Sequence, residues 1–92
     1  MIKNSDIITS QRQKLILSGD ENPDGSLRKL FVFSHNIERE KYIDYLNLPV
    51  NKKKALIFYD LIERRVKGEP ISHITGSRYF WKDKFNVNRN VL

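Results

Sequence analysis

Few side chains in this sequence have the chemistry for a reactive site, and no spacing joins them into one. The two histidines, His35 and His73, lie far apart, and neither has a neighbour at metal-ligand spacing. There is no cysteine, which excludes a disulfide framework and any thiolate zinc site. Acid–base work at His73 would need a nucleophile or carboxylate poised beside it, and "ISHITG" implies none. His73 therefore reads as a packing or hydrogen-bonding residue. Tyr79, Phe80 and Trp81 suit either a stacking platform for bases or, as is commoner, a core. The four glycines, Gly19, Gly25, Gly68 and Gly76, form no Gly-x-Gly cofactor loop.

Charge says more. The net charge is +6 at pH 7. Residues 1–46 carry seven basic and seven acidic side chains, whereas residues 47–92 carry ten and four and supply the whole excess. That half suits an acidic partner, protein or nucleic acid, the alternative being a solvated face. Its candidate docking residues are Lys52, Lys53 and Lys54 with Arg64, Arg65 and Lys67. The triple lysine opens a helix, where it opposes the helix dipole at about a few tenths of a kcal/mol per exposed charge. The arginine pair closes the same helix, where positive charge is favoured; it suits carbonyl capping or gripping the hairpin as well as docking. No apolar run approaches the ~20 residues of a membrane span, and the start lacks a signal peptide's pattern. Cytoplasmic placement follows by elimination.

The elements that hold these residues fit one small domain, with Leu, Ile, Val and Phe making up about a third of the chain. A first helix is expected from Ser5, as N-cap, to Leu17, with Ile8, Gln11 and Leu15 on one face. "SGDENPDGS" reads as a loop. Ser26 caps a second helix with Leu27, Leu30, Phe31 and Ser34 aligned, and Asn36 caps a third, "NIEREKYIDYL", before Pro49 ends regular structure. Asn51 opens the clearest helix, whose stripe is Ala55, Phe58, Tyr59, Ile62 and Val66, widened by Leu61. Gly68 is its left-handed stop. Glu69 and Pro70 begin a single turn that pairs Ile71 with Ile74 and stops at Thr75-Gly76. The period then changes, and "SRYFW" and "FNVNRNVL" about a "KDK" turn predict a β-hairpin. The expected fold is mainly α: a helical domain over 1–76 and a hairpin linker over 77–92. The chain stops within the apolar run at Val91-Leu92, so a further domain is expected to follow.

Several of these residues carry a family pattern. Arg64-Arg65, Gly68-Glu69-Pro70, His73-Ile74-Thr75-Gly76, Phe80-Trp81 and Phe85-Asn86-Val87 succeed one another as an arginine pair, G-E-P, an aliphatic-T-G, an aromatic pair and an F-x-V strand. This resembles the N-terminal domain of the PrmC (HemK) family, S-adenosylmethionine-dependent methyltransferases of peptide-chain release factors. The likeness is dense over residues 61–92 and thin over the first fifty. It implies a parent enzyme that methylates the side-chain nitrogen of the glutamine in a release factor's Gly-Gly-Gln loop. The N-P-P-Y motif and glycine-rich cofactor loop of that family belong to its Rossmann-like domain, and neither occurs here. The resemblance therefore assigns this chain no catalytic, cofactor or metal residue and leaves S-adenosylmethionine to the parent enzyme. It implies a class-1 release factor and the catalytic domain as partners, and an interdomain joint at Gly68, Glu69, Pro70, His73, Thr75, Gly76, Phe80, Trp81, Phe85 and Val87. Docking of the release factor is the expected role. The alternative is a basic helical module that binds nucleic acid through phosphates, which no recognition motif supports; a self-sufficient enzyme has no clustered acid, base or nucleophile behind it.

Overall fold

A computed structural model describes residues 1–76. Five helices follow one another: α1 (Asn4–Ser18), α2 (Pro23–His35), α3 (Tyr42–Leu46), α4 (Lys52–Val66) and α5 (Ile71–Gly76), with a 3₁₀ turn at Arg39–Lys41 leading into α3. Helices α1, α2 and α4 pack on one another, α3 closes one side against α1 and α2, and α5 lies against α2 and α4. The expected hairpin, with Phe80, Trp81, Phe85 and Val87, lies outside the described residues.

The apolar stripes account for the packing. On α2 the face of Leu27, Leu30, Phe31 and Ser34 is buried as its spacing predicts, and His35 joins it one turn after Phe31. On α4, Ala55, Phe58, Leu61 and Ile62 are buried, Ile57 is added, and Tyr59 and Val66 sit half-buried at the margin. Leu15 and Ile74 bring α1 and α5 into the same core. Phe31 is its centre: its ring stacks on His35 at 3.8 Å and meets Phe58 and Tyr42 edge-on at 5.5 and 5.6 Å.

Three helices end in the same way. At Gly19, Asn36 and Gly68 the backbone turns left-handed, with φ of 90°, 52° and 104°. At each, the N–H of that residue and of the next reach back to the last-turn carbonyls. After α4, for instance, Gly68 N–H meets Arg65 O at 2.9 Å and Glu69 N–H meets Arg64 O at 3.1 Å. These are Schellman stops, and they leave Asp20, Ile37 and Glu69 just past the helix ends. Two of those three are carboxylates, and both bind an arginine of α4.

Three sequence expectations change. α2 starts at Pro23, not Ser26, because the Asn22 side chain accepts Gly25 N–H at 3.2 Å and Pro23 takes the first helical position. "NPDG" is thus a helix start rather than the middle of a loop, and a Cβ on Gly25 would collide with the Asn22 side chain at 2.4 Å. Asn36 does not cap a third helix; its positive φ ends α2, and the chain then makes only the 3₁₀ turn and the five-residue α3. Ser5 does not cap α1. Its first turn is held by Asp6, whose carboxylate accepts Lys3 N–H at 2.9 Å, while Asn4 is buried and donates to the Tyr45 carbonyl at 2.8 Å.

Candidate functional site

The densest polar constellation sits where α4 ends and α5 begins. The left-handed turn at Gly68 folds Glu69 back along α4, so that its carboxylate meets the Arg64 guanidinium, with Nε to Oε1 at 2.8 Å. His73, one turn further on, places its Nδ1 against the other oxygen of Glu69. Hydrogen bonding to Arg64 holds the Glu69 carboxyl down to about 2, partial burial opposing this and His73 adding to it. Arg65 points the other way. Its Nε donates to Asp20 Oδ2 at 3.1 Å and its Nη1 to the Glu69 carbonyl at 3.0 Å.

Asp20 is the residue that composition left unnoticed. Its side chain is 3% exposed and accepts from Asn22 N–H and Ser26 Oγ, both at 2.8 Å, besides Arg65. Burial pushes its carboxyl up, but these three hydrogen bonds outweigh it and hold the group below its usual value. The Arg65–Asp20 pair therefore ties the end of α4 to the start of α2, across 45 positions of sequence. Such a fully engaged pair fixes geometry more than it adds stability, since desolvation offsets much of the attraction.

The six basic candidates fall into two groups at opposite ends of α4. Lys52, Lys53 and Lys54 open α4 and Arg64, Arg65 and Lys67 close it, about 20 Å apart at 1.5 Å per residue. Lys52, Lys53 and Lys67 are exposed. The Lys54 amine turns inward and donates to the His35 carbonyl at 3.5 Å. Arg64 and Arg65 grip Glu69 and Asp20, the structural use open to a closing arginine pair. Of the joint residues, Gly68 makes the stop, Pro70 accepts the first hydrogen bonds of α5 from His73 and Ile74, and Thr75 Oγ1 donates to the Ile71 carbonyl at 3.0 Å. Gly76 is the last residue of α5.

His35 is the other group that spacing could have found, since it continues the Leu27–Phe31 face at i+4. It is 2% exposed, its Nδ1–H donates to the Phe31 carbonyl at 3.1 Å, and its Nε2 is buried without a hydrogen-bond partner. Burial lowers its pKa to about 4, with the Phe31 carbonyl opposing and the Lys54 charge adding to the effect. The ring is thus neutral at pH 7 and part of the core. Among the described residues, no three His, Asp or Glu side chains gather where they could hold a metal ion, and no helix is long and apolar enough to cross a membrane. What the arrangement does chemically is hold shape: the ion pairs lock the ends of α1, α4 and α5 together.

Comparison with known proteins places the bundle in a family. Residues 6–76 match the PrmC N-terminal domain. The chain is 29% identical over 84 residues to the release factor glutamine methyltransferase of Caulobacter vibrioides, covering 91% of this chain and 29% of that protein. It is 34% identical to the bifunctional methyltransferase of Rickettsia conorii over 94% of this chain and 16% of that protein. It is 36% identical to the release factor glutamine methyltransferase of Thermodesulfovibrio yellowstonii over 66% of this chain and 22% of that protein. The chain spans less than a third of the length of these relatives. No solved structure matches it. The family match runs from the first turn of α1 to the last residue of α5, the whole of the helical bundle, and the chain belongs to the PrmC N-terminal domain family.

Proposed function

We propose that this chain is the substrate-docking domain of a release factor glutamine methyltransferase. It holds a class-1 peptide-chain release factor while a Rossmann-like domain of the same polypeptide binds S-adenosylmethionine and methylates the Gly-Gly-Gln glutamine. The observation that carries this reading is the family match over the entire bundle, with relatives named for that modification. Residues 77–92 then serve as the link between the two domains. The cofactor belongs to the other domain.

The physical case rests on positioning. Methyl transfer to one glutamine requires the protein substrate to be held in register by contacts remote from the reacting atoms. A bundle cross-tied by Arg65–Asp20 and Arg64–Glu69 is rigid enough to supply them. Lys52, Lys53 and Lys67 are exposed cations available to such a contact. Calorimetric titration of this chain with a class-1 release factor, with duplex DNA and single-stranded RNA as comparators across a salt series, tests the reading. Saturable binding to the release factor that persists at physiological salt is the expected result. Binding to nucleic acid alone, with log K falling steeply in log salt, would instead establish the phosphate-binding alternative.

A further inference from the structure

Five arginines lie among the described residues, and three are held by carboxylates of the chain itself: Arg12 by Asp24, Arg64 by Glu69 and Arg65 by Asp20. The other two, Arg28 on α2 and Arg39 in the 3₁₀ turn, hold no carboxylate among the described residues. Both border the same two hollows. One, of about 310 Å³, is lined by Val32, Phe33 and Ile71, with Lys29 beside Arg28. The other, of about 470 Å³, runs to Tyr42 and to Ile43, which is 65% exposed. Two hollows that share a pair of arginines make one surface, apolar at each end and cationic between. Among the described residues, Glu40 is the one carboxylate that lines either hollow.

This composition suits a protein better than a nucleic acid. Aromatic and arginine side chains are what interface centres are enriched in, and an exposed isoleucine beside them loses unfavourable contact with water when a partner covers it. A guanidinium presents a planar fork that matches a carboxylate, and two forks across a narrow surface fix its position as well as its charge. Nucleic acid would call for a track of cations beside successive stacking faces, whereas Arg28, Lys29 and Arg39 here stand among Val32, Ile71 and Ile43, with the Phe33 and Tyr42 rings in separate hollows.

We propose that α2, the 3₁₀ turn and α3 dock a segment of the protein substrate in which a carboxylate is flanked on both sides by apolar side chains. The carboxylate lies between Arg28 and Arg39, and the flanking side chains fill the Val32–Ile71 and Tyr42–Ile43 hollows. The inference rests on the reading of this chain as a release-factor-docking domain. It assigns the contact to the half of the sequence whose charges cancel, where Asp20 and Asp24 are already engaged with other arginines.

The test titrates the chain with a class-1 release factor, comparing wild type with the double variant Arg28→Gln/Arg39→Gln and with Ile43→Ser. A charge-matched variant on the exposed face of α1, Gln13→Glu/Leu17→Glu, serves as comparator, and circular dichroism confirms that each is folded. The arginine variant should bind at least about tenfold more weakly and Ile43→Ser at least about threefold, with the comparator within about twofold of wild type. Replacing both arginines by lysine keeps the charge but loses the forks, and should recover only part of the loss. Wild-type binding that the arginine and isoleucine variants leave unchanged would overturn this surface while leaving the domain's role intact. A wild-type chain that does not bind the release factor would overturn both. Loss of single-stranded RNA binding in the arginine variant, with release-factor binding unaffected, would reassign the surface to nucleic acid and overturn the proposal.

Discussion

Replacing Phe31 by alanine should remove most of the domain's stability at 25 °C. The ring is fully buried and is shared by three elements: it stacks on His35 within α2 and meets Tyr42 of α3 and Phe58 of α4. Truncation removes the transfer free energy of the ring and leaves a cavity that three helices cannot close together, at a cost of about 4 kcal/mol. A helical domain of this size has a total stability of about 5 kcal/mol. Urea titration followed by helical circular dichroism should therefore show a midpoint reduced to about a fifth of the wild-type value. Phe31→Leu, which keeps most of the volume, should lose about 1.5 kcal/mol and retain a cooperative transition. Leu56→Ser, at a position 67% exposed on the outer face of α4, should change stability by less than about 0.5 kcal/mol. Equal midpoints for Phe31→Ala and Leu56→Ser would mean that the three elements do not share this core.

Acidification should weaken the domain in two stages, the first set by His35. Its folded pKa of about 4 lies below the unfolded value of 6.5, so between those limits the unfolded chain takes up a proton that the folded one excludes. Stability therefore falls as pH drops through that window, by about 1.4 kcal/mol per pH unit and about 3 kcal/mol in all. Glu69 acts later and for the opposite reason. Its carboxyl is held down to about 2, so the stability it contributes is present above its ordinary value of 4.5 and is lost as pH falls from there. The group facing His35 from α4 is the Lys54 amine, which sharpens the exclusion of a second positive charge, while Phe31 and Tyr45 supply apolar walls. Urea midpoints measured from pH 7 to pH 4.5 should decline in the wild type. In His35→Phe, which preserves the stack on Phe31, that slope should be largely abolished, leaving the carboxylate stage below pH 4.5. A wild-type midpoint flat between pH 7 and 5 would contradict the buried neutral state of His35.

The parts of this fold that the sequence made legible are those where local signals and tertiary packing agree. The spacing of Leu27, Leu30, Phe31 and Ser34 and that of Ala55, Phe58 and Ile62 located the buried faces, and Gly68 marked the stop of α4, because periodicity and a glycine at a left-handed turn are local properties. Where one residue type serves two purposes, the reading failed. "NPDG" has the composition of a turn and also of a capped helix start, and only the packing of α2 chooses between them. Asn36 can cap a helix or end one, and its positive φ shows which. The candidate sites were less legible still. Arg64 and Arg65 stood out as a pair, but their partners depend on Schellman turns that return Glu69 and on a contact with Asp20 from a distant loop. Averaging charge over residues 1–46 gave zero and hid Arg28 and Arg39, because the sum ignores that two of its carboxylates, Asp20 and Asp24, are bound to Arg65 and Arg12.

In the docking role proposed for it, this domain positions the release factor for a reaction performed by another domain. The most direct measurement is steady-state kinetics of the methyltransferase that carries it, with and without residues 1–76, varying release factor and S-adenosylmethionine separately. Without residues 1–76 the KM for the release factor should rise at least about tenfold, equivalent to about 1.4 kcal/mol of lost docking, with the affinity for S-adenosylmethionine unchanged. An unchanged KM for the release factor in the truncated enzyme would contradict that role.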